Sequence, residues 1–160
     1  MRVCLVRHGP AVPTGTPGID DDARPLTPDG RVKTRAAARG IRALKLGIDA
    51  VWTSPLPRAR ETAEILAREL RLPQPKLLDA LKPGASADRL FRKPLGECPA
   101  LVGHEPDFGS IVAALTGGRP DAFPVKKAGL AVLDLHRRGA RPSGTLALFL
   151  RPSTLRALGR

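Results

Sequence analysis

The sequence is poor in cysteine and in aromatic side chains. Of its 160 residues two are cysteines and 3% are aromatic, and tyrosine is absent. Cys4 and Cys98 stand beside apolar residues, with neither a CxxC spacing nor a nearby histidine that would complete a metal site, so we expect buried free thiols. The shortage of aromatic residues argues against a stacking surface for nucleic acid.

Long apolar runs are also lacking. No stretch approaches the roughly 20 apolar residues that a membrane span needs, and the first residues lack the apolar core of a signal peptide. We therefore expect a cytoplasmic protein that has no membrane partner.

Acidic residues are outnumbered by basic ones, 15 to 27, which gives a net charge of +12. Such an excess of positive charge calls for an anionic partner. Because the lysines and arginines are dispersed along the chain, a compact phosphate-bearing substrate or an acidic protein surface fits as well as nucleic acid does.

Strand-like and helix-like segments alternate along the chain. Short apolar and β-branched runs are separated by stretches in which apolar residues recur three or four positions apart, the pattern of an α/β protein. The length suits one domain. We predict a single three-layer α/β domain over residues 1–160, with a mostly parallel central sheet flanked by helices. The predicted strands cover 2–6, 50–53, 100–103, 130–135 and 145–150, with a weaker one at 76–78.

Local end signals predict where the helices lie. Residues 27–29, Thr-Pro-Asp, combine an N-cap, a first-turn proline and an acid that complements the helix dipole. Gly47 is expected to end that helix. The predicted helices run from there to about Leu46, over 56–70 and over 107–115, with a short helix after 82–86 and a hairpin connection at 137–144 that makes the last two strands antiparallel.

Three predicted strands end in the same way. Each is followed at once by basic or imidazole side chains and by the start of a helix. Ligands of open α/β sheets bind beyond the carboxyl ends of the strands, where helix N-termini also point. Arginine forks match phosphate oxygens bidentately, so these ends predict a pocket for a dianionic phosphoryl group. The segments are VRHG (6–9), TSPLPRA (53–59) and VGHEPD (102–107), and the side chains expected to meet are Arg7, His8, Arg58 and His104.

Five segments follow one another over nearly the whole chain: LVRHGPA (5–11), RPLTPDG (24–30), SPLPRARETA (54–63), LLDALKPGAS (77–86) and LVGHEPDF (101–108). In order and spacing they resemble the histidine phosphatase superfamily, also called the phosphoglycerate mutase-like family, and most closely its small SixA-type phosphohistidine phosphatases. The resemblance implies a phosphoglycerate mutase-like fold and a phosphatase that needs no metal or other cofactor.

The resemblance also implies a role for each strand-end residue. His8 is expected to be the nucleophile, and Arg7, Arg58 and His104 to hold the phosphoryl group. The chemistry agrees, because attack by a neutral imidazole splits one hydrolysis into two easier transfers. Fixed cationic donors then stabilise the charge on the transition-state oxygens. We expect the arginines to lower the pKa of His8, and Gly9 to let the backbone pass close to the phosphate.

The general acid is left open. Larger relatives protonate the leaving oxygen with a Glu or Asp on a loop, and Asp79 stands nearest to that position here. Glu105, beside His104, is a second candidate, although an exposed acid that only caps the next helix is the slightly favoured interpretation. Small members of the family can also lack an acid, so all three alternatives remain.

The remaining polar and aromatic residues have simpler expectations. The long loop 10–24 should overhang the site. Arg24 at its end either touches the rim of the substrate or anchors the loop to one of the acids at 20–22. His136 and the lysine pair 126–127 are expected in solvent. Trp52 and the four phenylalanines are expected in the core.

The predicted function is a phosphatase that acts on phosphohistidine in a partner protein, because the chain has no room for the large inserted lids of bigger relatives. A small-molecule phosphomonoesterase, with loop 10–24 as its lid, is the alternative within enzymes. A basic module that binds phosphate or nucleic acid without turnover is the alternative of another class. A nucleophilic histidine argues against that last reading, because a pure binding module has no use for one.

Overall fold

The computed structural model describes residues 1–136 and 142–160, and within them six strands form one mixed sheet. The strands are β1 (Arg2–Arg7), β2 (Ala50–Thr53), β3 (Lys76–Leu77), β4 (Pro99–Gly103), β5 (Leu130–His136) and β6 (Ser143–Leu150). Their order across the sheet is β3-β2-β4-β1-β5-β6. The first four are mutually parallel, while β5 runs antiparallel to β1 and β6 antiparallel to β5.

The sheet agrees with the sequence-based prediction in its strands and in its α/β class. The predicted antiparallel pair at the end of the chain is confirmed by the pairing of β5 with β6. Residues 137–141 of the predicted hairpin connection lie outside the described residues. Because β5 pairs with β1, the antiparallel part of the sheet begins beside the strand that leads into His8.

Four of the five helices in the described chain begin where the sequence signals place them. They are α1 (Pro28–Ala43), α2 (Pro57–Leu70), α3 (Ala87–Leu90), α4 (Asp107–Thr116) and α5 (Pro152–Leu158). The Thr27 hydroxyl accepts the Gly30 N–H at 2.9 Å, which confirms the predicted cap. Helix α1 ends at Ala43, earlier than the predicted Leu46, since Lys45 already has a left-handed φ of 50°. The sequence analysis did not predict α5.

Two apolar clusters cover the two faces of the sheet and give the three-layer arrangement. One joins the sheet to α1, α2 and α5, and the other joins it to α3 and α4. Helix α5 approaches α1 closely because Gly40 has no side chain: a β-carbon there would collide with the Leu155 carbonyl oxygen. Cys4 and Cys98 are buried free thiols, as predicted.

The aromatic residues depart from the prediction in one case. Phe108 is fully buried, whereas Phe149 is 38% exposed. Phe149 lies on the edge strand β6, where a single strand neighbour leaves its ring partly open to solvent. Trp52 is half-buried and donates its indole N–H to the Leu95 carbonyl at 2.8 Å. Among the described residues, no helix combines the length and the apolar character of a membrane span.

Candidate active site

The carboxyl ends of β1, β2 and β4 lie side by side at one edge of the sheet. Val102 of β4 is in register with Val6 of β1 and with Thr53 of β2. The residues that follow these positions therefore leave the sheet at the same level. Backbone bonds fix two of them, because the His8 N–H donates to Gly103 O and the Ser54 N–H to Val102 O, each at 3.0 Å.

A cavity of about 460 Å³ opens above these strand ends. The four side chains that the sequence places at strand ends all line it, together with residues from loop 10–24 and from the segments before α3 and β5. The lining residues are Arg7, His8, Pro13, Thr14, Asp21, Arg24, Arg58, Pro83, His104, Glu105 and Lys127.

His8 lies in the floor of the cavity and is 5% exposed. Its Nδ1 is 2.8 Å from the Gly9 carbonyl oxygen. Because a carbonyl only accepts, Nδ1 must carry the hydrogen, and Nε2 keeps a free lone pair. The pKa of His8 is lowered from 6.5 to about 3, first by burial and then by the charges of His104, Arg58 and Arg7. The arginines act in the predicted direction, but loss of solvent is the larger cause.

His104 faces His8, with the ring centroids 5.3 Å apart. Its Nε2 is 2.9 Å from the Ser54 hydroxyl oxygen, and its buried Nδ1 has no partner among the described residues. The Ser54 oxygen already accepts the Leu56 N–H at 3.4 Å. A hydroxyl can both donate and accept, and when its hydrogen binds Nε2 the His104 hydrogen lies on Nδ1, where it is available to a ligand. Burial lowers the pKa of His104 to about 4, with further contributions from Arg58 and Arg7.

The two arginines are anchored by backbone carbonyls. Arg7 donates from Nη1 to Val125 O at 3.0 Å, and Arg58 donates from Nη1 to Asp21 O at 2.8 Å. The Nε of each is buried without a partner among the described residues. Burial is the first cause that lowers the pKa of both guanidinium groups. Two desolvated cations with unused donors favour an anion in the cavity.

Gly9 serves the site through packing. It does not line the cavity, and its N–H donates to the Thr62 hydroxyl at 2.9 Å. Thr62 in turn donates to the Arg58 carbonyl at 2.7 Å, so it ties the end of β1 to α2. A β-carbon on Gly9 would collide with the Thr34 hydroxyl. The structure thus gives Gly9 a packing role, while its close approach to the phosphate stays a prediction.

Arg24 anchors its loop, which was one of the two alternatives, and its contact with a substrate stays a prediction. It lines the cavity, and it also anchors its loop by donating from Nε to Asp21 Oδ1 and from Nη1 to Val12 O, both at 2.8 Å. The Arg24 hydrogen bond is the main reason why the pKa of Asp21 is lowered. An ionised Asp21 beside Arg58 is therefore part of the wall and unsuited to donate a proton.

The two acid candidates occupy different places. Asp79 is exposed, lies 3.2 Å from the Lys82 ammonium and is absent from the cavity wall. Glu105 lines the cavity and is half-buried. Its Oε1 accepts the Gly109 N–H of α4 at 3.1 Å and the Val125 N–H at 3.0 Å. The expected helix cap is present, but the acid is not exposed as expected, and burial raises its pKa.

Three lining or supporting residues had no assigned function in the sequence. Ser54 and Thr62 lie within the quoted motif, and Thr62 follows Arg58 by four positions, the spacing that puts two residues on one helix face. Lys127 is exposed, as predicted for the lysine pair, but it also lines the cavity. Over the two described stretches of chain, no group of three or more His, Cys, Asp or Glu side chains is placed to hold a metal ion.

Comparison with known proteins places this geometry in a family. Residues 3–82 match the model of the histidine phosphatase superfamily (branch 1). A Picosynechococcus protein of uncharacterised function is 36% identical over 138 residues, which cover 81% of this chain and 82% of that protein. The Escherichia coli phosphohistidine phosphatase SixA is 29% identical over 143 residues, 84% of this chain and 86% of that protein.

A solved structure agrees with these sequence matches. The protein histidine phosphatase SixA complexed with tungstate superposes with a TM-score of 0.79 at 28% identity, covering 97% of this chain and 99% of that one. Both the sequence match and the fold extend well past the first strand and its RHG segment. This chain belongs to the histidine phosphatase superfamily, in its SixA-type branch, and it is a phosphatase.

Proposed function

We propose that this phosphatase hydrolyses phosphohistidine in a partner protein, through a covalent intermediate on His8, and that residues 1–160 do so as one domain in the cytoplasm. The observation that carries the proposal is the state of His8: a buried imidazole with a pKa of about 3, whose Nδ1–H is fixed on the Gly9 carbonyl. Its Nε2 is thus unprotonated, in a cavity that it shares with the buried Arg58 and the half-buried Arg7.

In the first transfer, the Nε2 lone pair of His8 forms a bond to phosphorus while the bond from phosphorus to the substrate nitrogen breaks. The electron pair of that bond stays on the substrate ring. Arg7, Arg58 and the Nδ1–H of His104 bind the equatorial oxygens, where negative charge is spread in the transition state. This arrangement needs positioning and fixed charge rather than a second covalent group.

In the second transfer, a water oxygen attacks phosphorus and the bond to His8 Nε2 breaks. The water proton passes to the phosphate or to solvent, and the electron pair returns to Nε2. Because the Nδ1–H is held on Gly9 O, the ring leaves as a neutral imidazole. The same hydrogen bond therefore serves both the attack and the release.

We propose phosphohistidine as the substrate because of where the two candidate general acids, Asp79 and Glu105, lie. A substrate imidazole that is protonated on its other nitrogen leaves as a neutral ring, whereas an alkyl phosphate must expel an alkoxide unless an acid protonates it. Asp79 lies outside the cavity wall. Glu105 spends one carboxylate oxygen on two backbone N–H groups. The cavity thus suits a leaving group that needs no acid, and the E. coli relative named phosphohistidine phosphatase agrees with this choice.

The test compares three substrate classes in the presence of EDTA: a phosphohistidine protein, p-nitrophenyl phosphate and a panel of sugar phosphates. We expect turnover of the first two, and at least about a thousandfold loss of kcat in His8→Ala, since no other group takes over the nucleophile. Enzyme quenched in alkaline denaturant should carry phosphate that is acid-labile and base-stable, on His8 alone. Turnover by His8→Ala would contradict the mechanism. Phosphate binding without turnover by the native chain would support the non-catalytic module.

A small-molecule phosphomonoesterase is the second candidate. Pro13 and Thr14 of loop 10–24 form part of the cavity wall, as a lid would. Glu105, whose pKa is raised by burial, is a carboxyl group in that wall that can hold a proton. Efficient hydrolysis of sugar phosphates that falls in Glu105→Gln, with no turnover of phosphohistidine, would favour this function instead.

A further inference from the structure

A second concavity lies directly beside the catalytic cavity. It is an open groove of about 500 Å³ between the turn that precedes β5 and the start of α5. Five of its seven lining residues are cations, and none is acidic or aromatic. These residues, which we call the basic groove, are Arg7, Lys126, Lys127, Arg151, Pro152, Ser153 and Arg156.

The basic groove is continuous with the catalytic cavity, because Arg7 and Lys127 line both. The turn that carries Lys126 and Lys127 is also hydrogen-bonded to the end of β1. The Ala128 N–H donates to the carbonyls of Arg7 and His8 at 3.1 and 3.2 Å. A phosphoryl group held by Arg7 therefore brings its neighbouring atoms to the mouth of the groove.

The cations of the groove are not neutralised within the described chain. Lys126, Lys127, Arg151 and Arg156 form no ion pair with any residue of 1–136 or 142–160. Elsewhere on the surface, cations do find acids: the Arg31 and Lys33 side chains, for example, each lie 2.6 Å from a carboxylate. Four uncompensated charges in one concave place, on a chain with a net charge of +12, create a positive potential that attracts an extended anion.

We propose that the basic groove binds acidic side chains of the protein that carries the phosphohistidine. This inference rests on the proposed function. A small phosphomonoester concentrates its charge at the phosphoryl group, which Arg7 and Arg58 already meet in the cavity, so it leaves the groove unused. A folded protein surface can present several carboxylates around a phosphohistidine, and these would lie over the groove. Nucleic acid fits less well, because the groove has no aromatic side chain on which a base would stack.

The groove would raise the rate at which the partner protein associates with the enzyme, and it would help to select among partners. Exposed charge pairs across an interface raise the association rate and exclude partners of like charge. We therefore expect an effect on kcat/KM for a protein or peptide substrate, and none on the chemical step. The kcat/KM for a small aryl phosphate, which cannot reach the groove, should not depend on the groove residues.

The experiment uses two synthetic phosphohistidine peptides that differ only in their flanks, one with four glutamates and the other with four glutamines. The test variant is Lys126→Gln/Arg151→Gln, neither of which lines the catalytic cavity. The matched control is Arg92→Gln/Lys93→Gln, which removes the same charge from exposed residues outside both concavities. Phosphate release is measured in low salt and in 1 M salt, with p-nitrophenyl phosphate as the reference substrate.

We expect the native chain to prefer the acidic peptide, and the test variant to lose about fivefold in kcat/KM on that peptide alone, as befits two exposed pairs. The loss should vanish in 1 M salt, where the Debye length is about 3 Å. The control variant and the reference substrate should show no change.

Four results would overturn the inference. Equal kinetics on the two peptides would show that the groove ignores acidic flanks while the phosphohistidine function stands. An equal loss in the control variant would assign the effect to net charge. Inhibition by a DNA oligonucleotide that the test variant abolishes, with no preference for the acidic peptide, would assign the groove to nucleic acid. If neither peptide is hydrolysed while p-nitrophenyl phosphate is, the proposed function fails and this inference falls with it.

Discussion

Replacement of His8 by glutamine should change how the stability of the fold depends on pH. Burial lowers the pKa of His8 from 6.5 to about 3. Between pH 6.5 and pH 3 the His8 imidazole is protonated in the unfolded chain and unprotonated in the native state. Stability from this group is therefore complete above pH 6.5 and is lost as the pH falls toward 3. Glutamine does not titrate, so the variant lacks this loss.

The size of the effect follows from the pKa difference. At pH 4.5, two units below the unfolded value, the native state has lost about 3 kcal/mol through His8, at about 1.4 kcal/mol for each unit. His104, whose pKa in the fold is about 4, causes a similar loss of stability at that pH. This loss also occurs in the variant, because the variant keeps His104. The free energy of unfolding should thus fall by about 3 kcal/mol less in His8→Gln than in the native chain between pH 8 and 4.5.

The assay is urea unfolding followed by the fluorescence of Trp52, which is the single tryptophan and is half-buried on β2. Buffers without oxyanions are needed, because an anion bound to the native state would stabilise it. His136→Gln is the control, since that imidazole is exposed and its Nε2 lies 3.0 Å from the Thr145 hydroxyl, away from the cavity. We expect the control to follow the native curve.

Parallel curves for His8→Gln and the native chain would refute the reasoning, because they would mean that His8 titrates alike in the folded and unfolded states. An imidazole titration of His8 near pH 6.5, followed by nuclear magnetic resonance, would refute it independently. Either result would also remove the argument that the nucleophile is kept neutral by burial.

Three further predictions concern the reaction. Ser54→Ala should lower kcat for p-nitrophenyl phosphate about tenfold with the fold intact, since His104 loses the hydrogen bond that orients its ring. Unchanged kcat would assign Ser54 to packing. Vanadate should inhibit by mimicking the five-coordinate transition state. Arg58→Ala should raise the inhibition constant of vanadate about thirtyfold, as for a lost charged hydrogen bond. Equal inhibition of the native chain and the variant would place the anion elsewhere. Asp79→Asn should change kcat/KM little. In kcat/KM, phosphohistidine and aryl phosphates should be favoured over alkyl phosphates by at least about a hundredfold. Efficient hydrolysis of alkyl phosphates that is lost in Asp79→Asn would make Asp79 the general acid.

Local patterns in the sequence were sufficient to predict the elements that carry the site. The apolar runs before Arg7 and His104 became β1 and β4, and the Thr-Pro-Asp signal began α1 at Pro28. These features depend on neighbours within a few residues, since strand propensity, capping and turns are short-range effects. Helix α5 was missed because its burial depends on a distant contact, the approach of Leu155 to Gly40.

The placement of charged and polar groups relative to solvent was harder to predict. Glu105 looked like an exposed cap, yet Val125, twenty residues away, donates to it and half-buries it. Phe149 looked like a core residue, yet it lies on an edge strand. Exposure is set by what packs on a residue from elsewhere in the chain, and a local pattern does not contain that information.

By itself, the sequence determined the α/β class, the strands and main helices, the family, and which side chains stand at the strand ends, because these follow from periodicity and from motifs read along the chain. The tertiary structure alone decided that burial, more than the arginines, lowers the pKa of His8, that Ser54 orients His104, and that five cations line a groove beside the site. Desolvation, hydrogen-bond direction and surface potential arise only when residues far apart in the chain are brought together, and so the fold had to fix them.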